Sequence, residues 1–400
     1  MPGNARKFID LDLRYTARNY APVPVVIEKG KGVFVWDVEG KRYFDMLSAY
    51  SALNQGHCHP AIAAAAKKQL GKLTLTSRAF HNTLMGPFLE KICALTGLPK
   101  AIPMNSGAEA VETAIKAMRL WGYRRKDIRP NQAEIIIMRR NFHGRTTTII
   151  GFSSDPDSYD GFGPATPGFV PVNYGSAEDF EAAINERTCG VLLEPVQGEA
   201  GVRVPPEGYL RRVRDICTRR DILFCADEIQ TGLGRTGRMF CVDHEGVKPD
   251  LMVLGKALSG GYYPISVMAG REDVLGLFTP GTHGSTFGGN PLASAIGLAA
   301  LQVLEREKLP ARAAKLGALF LEKLKSLRDP RIREARGKGL LLALEFRDNS
   351  AKSFCKALAE NGLLAKDTHG STVRFAPPLT ITQPQLEAAF KIIAKTLAAF

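Results

Sequence analysis

A chain of 400 residues with 45% hydrophobic and 23% charged residues has globular composition, which excludes wholesale disorder, and its length predicts two domains. The 53 Lys+Arg exceed the 40 Asp+Glu by 13, but the basic residues are scattered as pairs and triplets such as Arg124-Arg125-Lys126 and Arg219-Arg220. That pattern, with no aromatic interleaving, predicts a solvated surface and no nucleic-acid partner.

No apolar run approaches the roughly 18–20 residues of a membrane helix, so no membrane partner is expected. The N-terminal MPGNARKFIDLDLRYTARNY lacks an apolar core and carries Asp10 and Asp12, which argues against a secretory or transit signal. The 7 cysteines are odd in number, widely spaced and without a C-x-x-C, which predicts a reducing cytoplasm rather than a disulfide framework. His57-Cys58-His59 is the densest group of metal-ligand types. Adjacent residues cannot easily close a tetrahedral site, and no metal is expected.

In chain order, GVFVWDVEGKRYFDM (32–46) predicts a hairpin with Gly40 in its turn. In 103–122, Ser106 and Glu109 form an S-x-x-E capping box. Val111, Ile115 and Met118 follow at helical spacing, with Gly122 as the expected stop. Gly107 and Ala108 leave the first-turn N–H groups unobstructed, where the helix dipole suits a phosphate. Taken alone, these residues are explained better by a capped helix without a ligand.

The apolar runs Ile135-Ile136-Ile137, Val191-Leu192-Leu193, Ile222-Leu223-Phe224 and Leu251-Met252-Val253-Leu254 predict buried strands, with helices over 176–186 and 206–220 between them. That alternation predicts an α/β domain with a mostly parallel sheet, which binds ligands beyond the carboxyl ends of its strands. Glu194, Asp227 and Lys256 stand there. Beyond 290 the pattern changes to helices over 291–326, a strand over 339–346, a helix over 351–361, a strand over 373–375 and a terminal helix. The expected organisation is an N-terminal segment (1–48) packing with the small domain, a large α/β domain (49–290) and a smaller α+β domain (291–400).

Asp227 at one strand end is either solvated or faces a protonated ring nitrogen. Lys256 at another either snorkels to solvent or is a desolvated amine able to form a Schiff base. Together with the helix start, the pair suggests pyridoxal phosphate (PLP), which needs a lysine, an acid partner and a phosphate cup.

From about residue 20 onward the chain resembles the class III, fold-type I PLP-dependent aminotransferases, and within them the branch acting on ornithine. NSGAEA, DEIQTGLGRTG and GGNPL are shared across the class, while LSAYSALNQGHCHP, KLTLTSRAF and DSYDGFGP mark the branch. The resemblance implies that Lys256 links covalently to PLP and that Asp227 partners the pyridine nitrogen. It places Gln230 near the phenolic oxygen, Phe142 on the ring face, and Gly107 and Ala108 at the phosphate. Thr286 would reach the phosphate of the other subunit of a homodimer, the minimum assembly implied. Arg145 matches a carboxylate-binding arginine, Tyr20 and Tyr50 match substrate-contacting tyrosines, and Glu199 and Arg374 match a switchable ion pair. The activity implied is transfer of the δ-amino group of L-ornithine to 2-oxoglutarate, giving glutamate 5-semialdehyde and L-glutamate. Acetylornithine or another ω-amino donor is the alternative, because NFHGRT, with His143, is also the form of acetylornithine-acting members.

Overall fold

All four apolar runs become central strands of one seven-stranded sheet in the computed structural model, which describes residues 3–400. Met1 and Pro2 of the expected N-terminal segment lie outside the described residues. The strands are β1 (Ile27–Lys31), β2 (Phe34–Asp37), β3 (Arg42–Asp45), β4 (Lys100–Met104), β5 (Glu134–Met138), β6 (Phe169–Val172), β7 (Thr188–Leu193), β8 (Leu223–Asp227), β9 (Leu251–Leu254) and β10 (Ser266–Gly270). They continue as β11 (Ile332–Lys338), β12 (Leu341–Phe346), β13 (Leu363–Leu364), β14 (Lys366–Thr368) and β15 (Thr372–Phe375). The large sheet runs β4-β10-β9-β8-β7-β5-β6. Its five strands from β9 to β6 are mutually parallel, and β10 is antiparallel to both its neighbours. Every residue of β7, β8 and β9 is buried, which suits continuous apolar runs covered on both faces.

The 32–46 hairpin forms as expected, β2 against β3, with Gly40 at φ 82°. It joins β1 and, through parallel pairing of β3 with β13, a strand contributed from beyond residue 360. A third sheet, β11-β12-β15-β14, is antiparallel throughout. Its β11 was not expected, since IREARGK has no apolar run, and it is only partly buried.

The capped helix spans Gly107–Arg125 and does not stop at Gly122, which lies buried inside it. A Cβ at Gly122 would stand 2.8 Å from Cys189 Cβ on β7, so this glycine permits close approach of helix to sheet. Propensity gave the wrong reading there because packing outweighs the roughly 1 kcal/mol cost of an internal glycine.

Arg235 pins the parts together. It is fully buried, and its guanidinium donates to the carbonyls of Leu340 (2.9 Å) and Pro377 (2.6 Å) and to Asn54 Oδ1 (2.5 Å). One side chain thereby joins the loop after β8, the segment after residue 50 and both ends of the β12–β15 region. Burial pushes its pKa down to about 9 against the opposing pull of Asp45.

Candidate active site

A cavity of about 190 Å³ opens beyond the carboxyl ends of β7, β8 and β9, lined by Lys256, Asp227, Gly107, Ala108, Phe142 and Glu199 among others. The strand geometry explains the convergence. Asp227 is the last residue of β8, Glu194 follows β7 and Lys256 follows β9 by two residues. Lys256 opens a short 3-10 turn with φ 45°, a left-handed conformation uncommon for a residue with a side chain.

The helix start supplies the floor. Ser106 Oγ accepts from the Glu109 N–H (3.2 Å) and Glu109 Oε2 accepts from the Ser106 N–H (2.6 Å), completing the capping box. That box leaves the N–H groups of Gly107 and Ala108 without an acceptor among the described residues. Gly144, at φ 137°, sits where a Cβ would come within 2.9 Å of Ala108 Cβ, so this part of the wall is bare backbone.

Asp227 is almost fully buried and both its oxygens are engaged. Oδ1 accepts from the Ile229 N–H (3.0 Å), and Oδ2 accepts from His143 Nδ1 (2.6 Å). Burial pulls the His143 pKa down, but the hydrogen bond and charge of Asp227, with Glu194 adding to them, outweigh burial and raise it overall. Glu194 is buried too and accepts from the Phe142 N–H (3.0 Å); burial pushes its pKa up to about 8. Burial also lowers the Lys256 pKa, against the opposing pull of Glu199 and Asp227. The amine is therefore closer to its neutral, nucleophilic form than an exposed lysine.

The opposite wall carries an ion pair. Arg374, on β15, donates to Glu199 Oε1 (2.5 Å), which also accepts from Gln230 Nε2 (3.1 Å). Burial alone would raise the Glu199 pKa, but Arg374 and Lys256 outweigh it and the pKa is lowered. The Tyr50 ring lies 5.1 Å beneath the Arg374 guanidinium. Tyr50 belongs to a turn in which Ser48, Ala49, Tyr50 and Ser51 all have φ between 48° and 72°. Asp45 holds that turn, accepting from the N–H groups of Leu47 (2.9 Å) and Ser48 (2.8 Å), while His57 donates to its other oxygen (2.7 Å). His59 meets Glu307 at 3.0 Å.

The remaining expected residues lie elsewhere. Arg145 is exposed, donates to Ser158 Oγ (2.8 Å) and covers the Phe142 ring at 5.6 Å. Tyr20 is 80% exposed and Thr286 is exposed, and neither lines the cavity within one chain. Sequence reasoning missed the His143–Asp227 hydrogen bond, and it placed Glu194 beyond a strand end without giving it a role. The apolar run before Glu194 carried the second signal; nothing local carried the first.

The residues fit PLP by donor chemistry. The cavity offers a buried amine at Lys256, buried acids at Asp227 and Glu194, two N–H groups at a capped helix start without an acceptor among the described residues, and a glycine-bared wall. Two buried polar atoms on it, Gln230 Oε1 and His143 Nε2, have no partner among the described residues.

Comparison with known proteins agrees. The family model for class-III aminotransferases matches residues 15–397. The ornithine aminotransferase of an Exiguobacterium species is 53% identical over 390 residues, 98% of this chain and 97% of that protein. Among solved structures, the ornithine aminotransferase of Toxoplasma gondii, described with partial occupancy of PLP at its active site, superposes with a TM-score of 0.98 at 45% identity, covering 99% of this chain and 94% of that one. The acetylornithine aminotransferase of Elizabethkingia anophelis gives 0.93 at 51% identity, with both chains covered completely.

Proposed function

The chain belongs to the class-III aminotransferase family, and from its site we infer that it is a PLP-dependent enzyme moving the δ-amino group of L-ornithine to 2-oxoglutarate. The observation that carries this reading is the Glu199–Arg374 ion pair on the wall facing Lys256. Such a pair lets one cavity take two substrates of opposite charge.

PLP, when bound, supplies a carbon that accepts the amino group and a ring that withdraws electrons from the reacting carbon. Lys256 would hold it covalently, Asp227 would face its ring nitrogen, and the Gly107 and Ala108 N–H groups would hold its phosphate. Asp227 is kept in place by His143 and the Ile229 N–H, so its carboxylate needs no reorganisation during reaction. The Lys256 amine, when free, would act as general base toward the Cδ proton of ornithine. In the second half-reaction it delivers a proton to Cα of the skeleton that leaves as glutamate.

The α-carboxylate of ornithine is assigned to Arg145, whose planar guanidinium suits a bidentate carboxylate. The α-ammonium is assigned to Tyr20. While ornithine is bound, Glu199 neutralises Arg374, which then does not draw the α-carboxylate toward Lys256. When 2-oxoglutarate binds, Glu199 turns away and Arg374 takes its α-carboxylate.

A homodimer is part of the proposal. Thr286 and Tyr20 stand outside their own chain's cavity, and Phe287 beside Thr286 is 47% exposed, as Phe80 is at 73%. Exposed aromatics of this kind suit an interface. The 7 cysteines, none of them in a disulfide, suit a reducing cytoplasm. The test is a donor panel followed by stopped-flow absorbance. Ornithine should react faster than acetylornithine and 4-aminobutyrate, and a preference for acetylornithine would reassign the substrate while leaving the chemistry in place.

A further inference from the structure

Beside the cavity lies a second cleft of about 340 Å³ that shares Phe142 and Glu199 with it. We propose that this cleft is an anion-docking vestibule that draws the dicarboxylate keto acid toward the site and holds back the cationic amino donor. The inference rests on the proposed function, since it needs two substrates of opposite charge.

The cleft is formed by the segment around 140–158, the loop after Glu199 and the β11–β12–β15 sheet. Three carboxylates line it. Glu199 is taken by Arg374, and Glu345 is ion-paired with Arg336 and with Arg333. Asp155 accepts from the Asp157 N–H (3.3 Å) and Ser158 Oγ (3.2 Å). Arg140 and Arg203 also line the cleft. Among the described residues neither guanidinium meets a carboxylate; Arg203 Nε donates only to the Ala200 carbonyl (3.2 Å). Burial first, and then the nearby Arg140 and Arg336, lower the Arg203 pKa against the opposing pull of Glu345 and Glu334.

Arg140 is also held at φ 62°, with its N–H on Ser154 Oγ (2.6 Å). An arginine there costs more than a glycine would, so its side chain is placed in the cleft at the expense of local strain. Ser158, on the same cleft, accepts from Arg145 (2.8 Å), so the cleft borders the arginine assigned to the substrate carboxylate. In neutral water 2-oxoglutarate is a dianion and ornithine a net monocation. Asp155 meets no cation among the described residues, so the two unpaired guanidinium groups outweigh one free carboxylate, and the excess positive charge acts on the two substrates in opposite senses.

The test compares kcat/KM of the two half-reactions by stopped flow for Arg140→Gly, Arg203→Gln and the double variant. Arg140→Gly removes the charge and relieves the backbone at once. Arg203→Lys restores a charge. The double variant should lose about tenfold in kcat/KM for 2-oxoglutarate, through KM, and flatten its salt dependence. It should gain modestly with ornithine, and Arg203→Lys should recover most of the loss seen in Arg203→Gln. Equal losses in both half-reactions, or a salt dependence that does not change, would overturn the vestibule while leaving the aminotransferase reading intact. A wild type that converts neither substrate would overturn both.

Discussion

The wall that carries Lys256, Asp227 and His143 is built from strand ends of one sheet and the segment after its neighbour β5. The wall that carries Tyr50, Glu199 and Arg374 combines a left-handed turn, a loop and a strand of a different sheet. Most contacts of the first wall are local to the large sheet, and its acids and imidazole are buried in it. The second is held from a distance: Arg235 ties the segment after Tyr50 to the residues after Arg374 across separations of more than one hundred residues. A fixed wall suits a reacting centre whose geometry must not change between substrates. A wall assembled from separate pieces suits a surface that must present Glu199 to one substrate and Arg374 to the next.

Substitutions in the first wall should therefore damage both half-reactions alike. Lys256→Ala should remove the proton-transfer group and reduce turnover on the order of 10⁴-fold with either substrate, within the range of general acid–base effects. Borohydride should lock the cofactor to a peptide containing residue 256 in wild type and to none in the variant. Turnover at the wild-type rate would remove Lys256 from the mechanism. Asp227→Ala should cost about 10²–10³-fold, again in both directions, because a preorganised charge is lost while the fold stays. A loss confined to one substrate would contradict the division between the walls.

Legibility in the sequence follows the same division. The strands of the large sheet announce themselves as apolar runs, and Asp227, Lys256 and the Ser106–Glu109 box stand where those runs and one amphipathic helix end. Local pattern and global placement agree there. The left-handed turn at Ser48–Ser51 had no such signal, since none of its residues is glycine and its conformation is set by Asp45 and His57. The Arg235 pin was equally silent, because two of its acceptors are backbone carbonyls of any identity 105 and 142 residues away and the third, Asn54 Oδ1, lies 181 residues away. Roles for Tyr20, Arg145, Thr286, Glu199 and Arg374 came from family resemblance, not from spacing. Tyr20 and Thr286 stay outside the cavity of a single chain, as surfaces reserved for a partner would.

Variants of Tyr20, which lies outside its own chain's cavity, and of Glu199 in the second wall should separate the half-reactions. Tyr20→Phe removes one hydrogen bond to a charged amine, worth about 1.5–3 kcal/mol, or roughly ten- to a hundred-fold in kcat/KM for ornithine. Donors without an α-amine, such as 4-aminobutyrate, should lose much less. Glu199→Ala leaves Arg374 unpaired and should favour α-amino donors such as glutamate over ornithine. The discriminating measurement is the ratio of the two half-reaction rates in each variant, and equal losses would place these residues in structural roles.

The smallest expected effect is on stability, and it takes opposite signs on the two walls. Glu194 on the first wall has its pKa raised by burial to about 8, whereas Glu199 on the second is held below its ordinary value against burial by Arg374. A raised acid keeps its proton in the folded chain after the unfolded chain has lost it. Glu194 therefore makes stability fall as pH climbs from the ordinary glutamate range toward about 8. Glu199 does the reverse: its stabilising share is present above the ordinary glutamate range and is lost as pH falls through its lowered value. Gln in place of Glu194 can still accept from the Phe142 N–H, so its chief consequence is removal of the titration. The melting temperature of Glu194→Gln should exceed that of wild type at pH 8 by about 1 °C for each kcal/mol recovered, and the two curves should converge as pH falls below the ordinary glutamate range. Glu199→Gln should instead lie below wild type at neutral pH and approach it only in acid. His143, whose pKa is raised, adds its own decline above the ordinary imidazole range and remains in the Glu194→Gln curve. Its decline should shift to lower pH there, because Glu194 is one of the charges that raise it. Parallel melting curves for Glu194→Gln and wild type would mean that Glu194 titrates alike folded and unfolded.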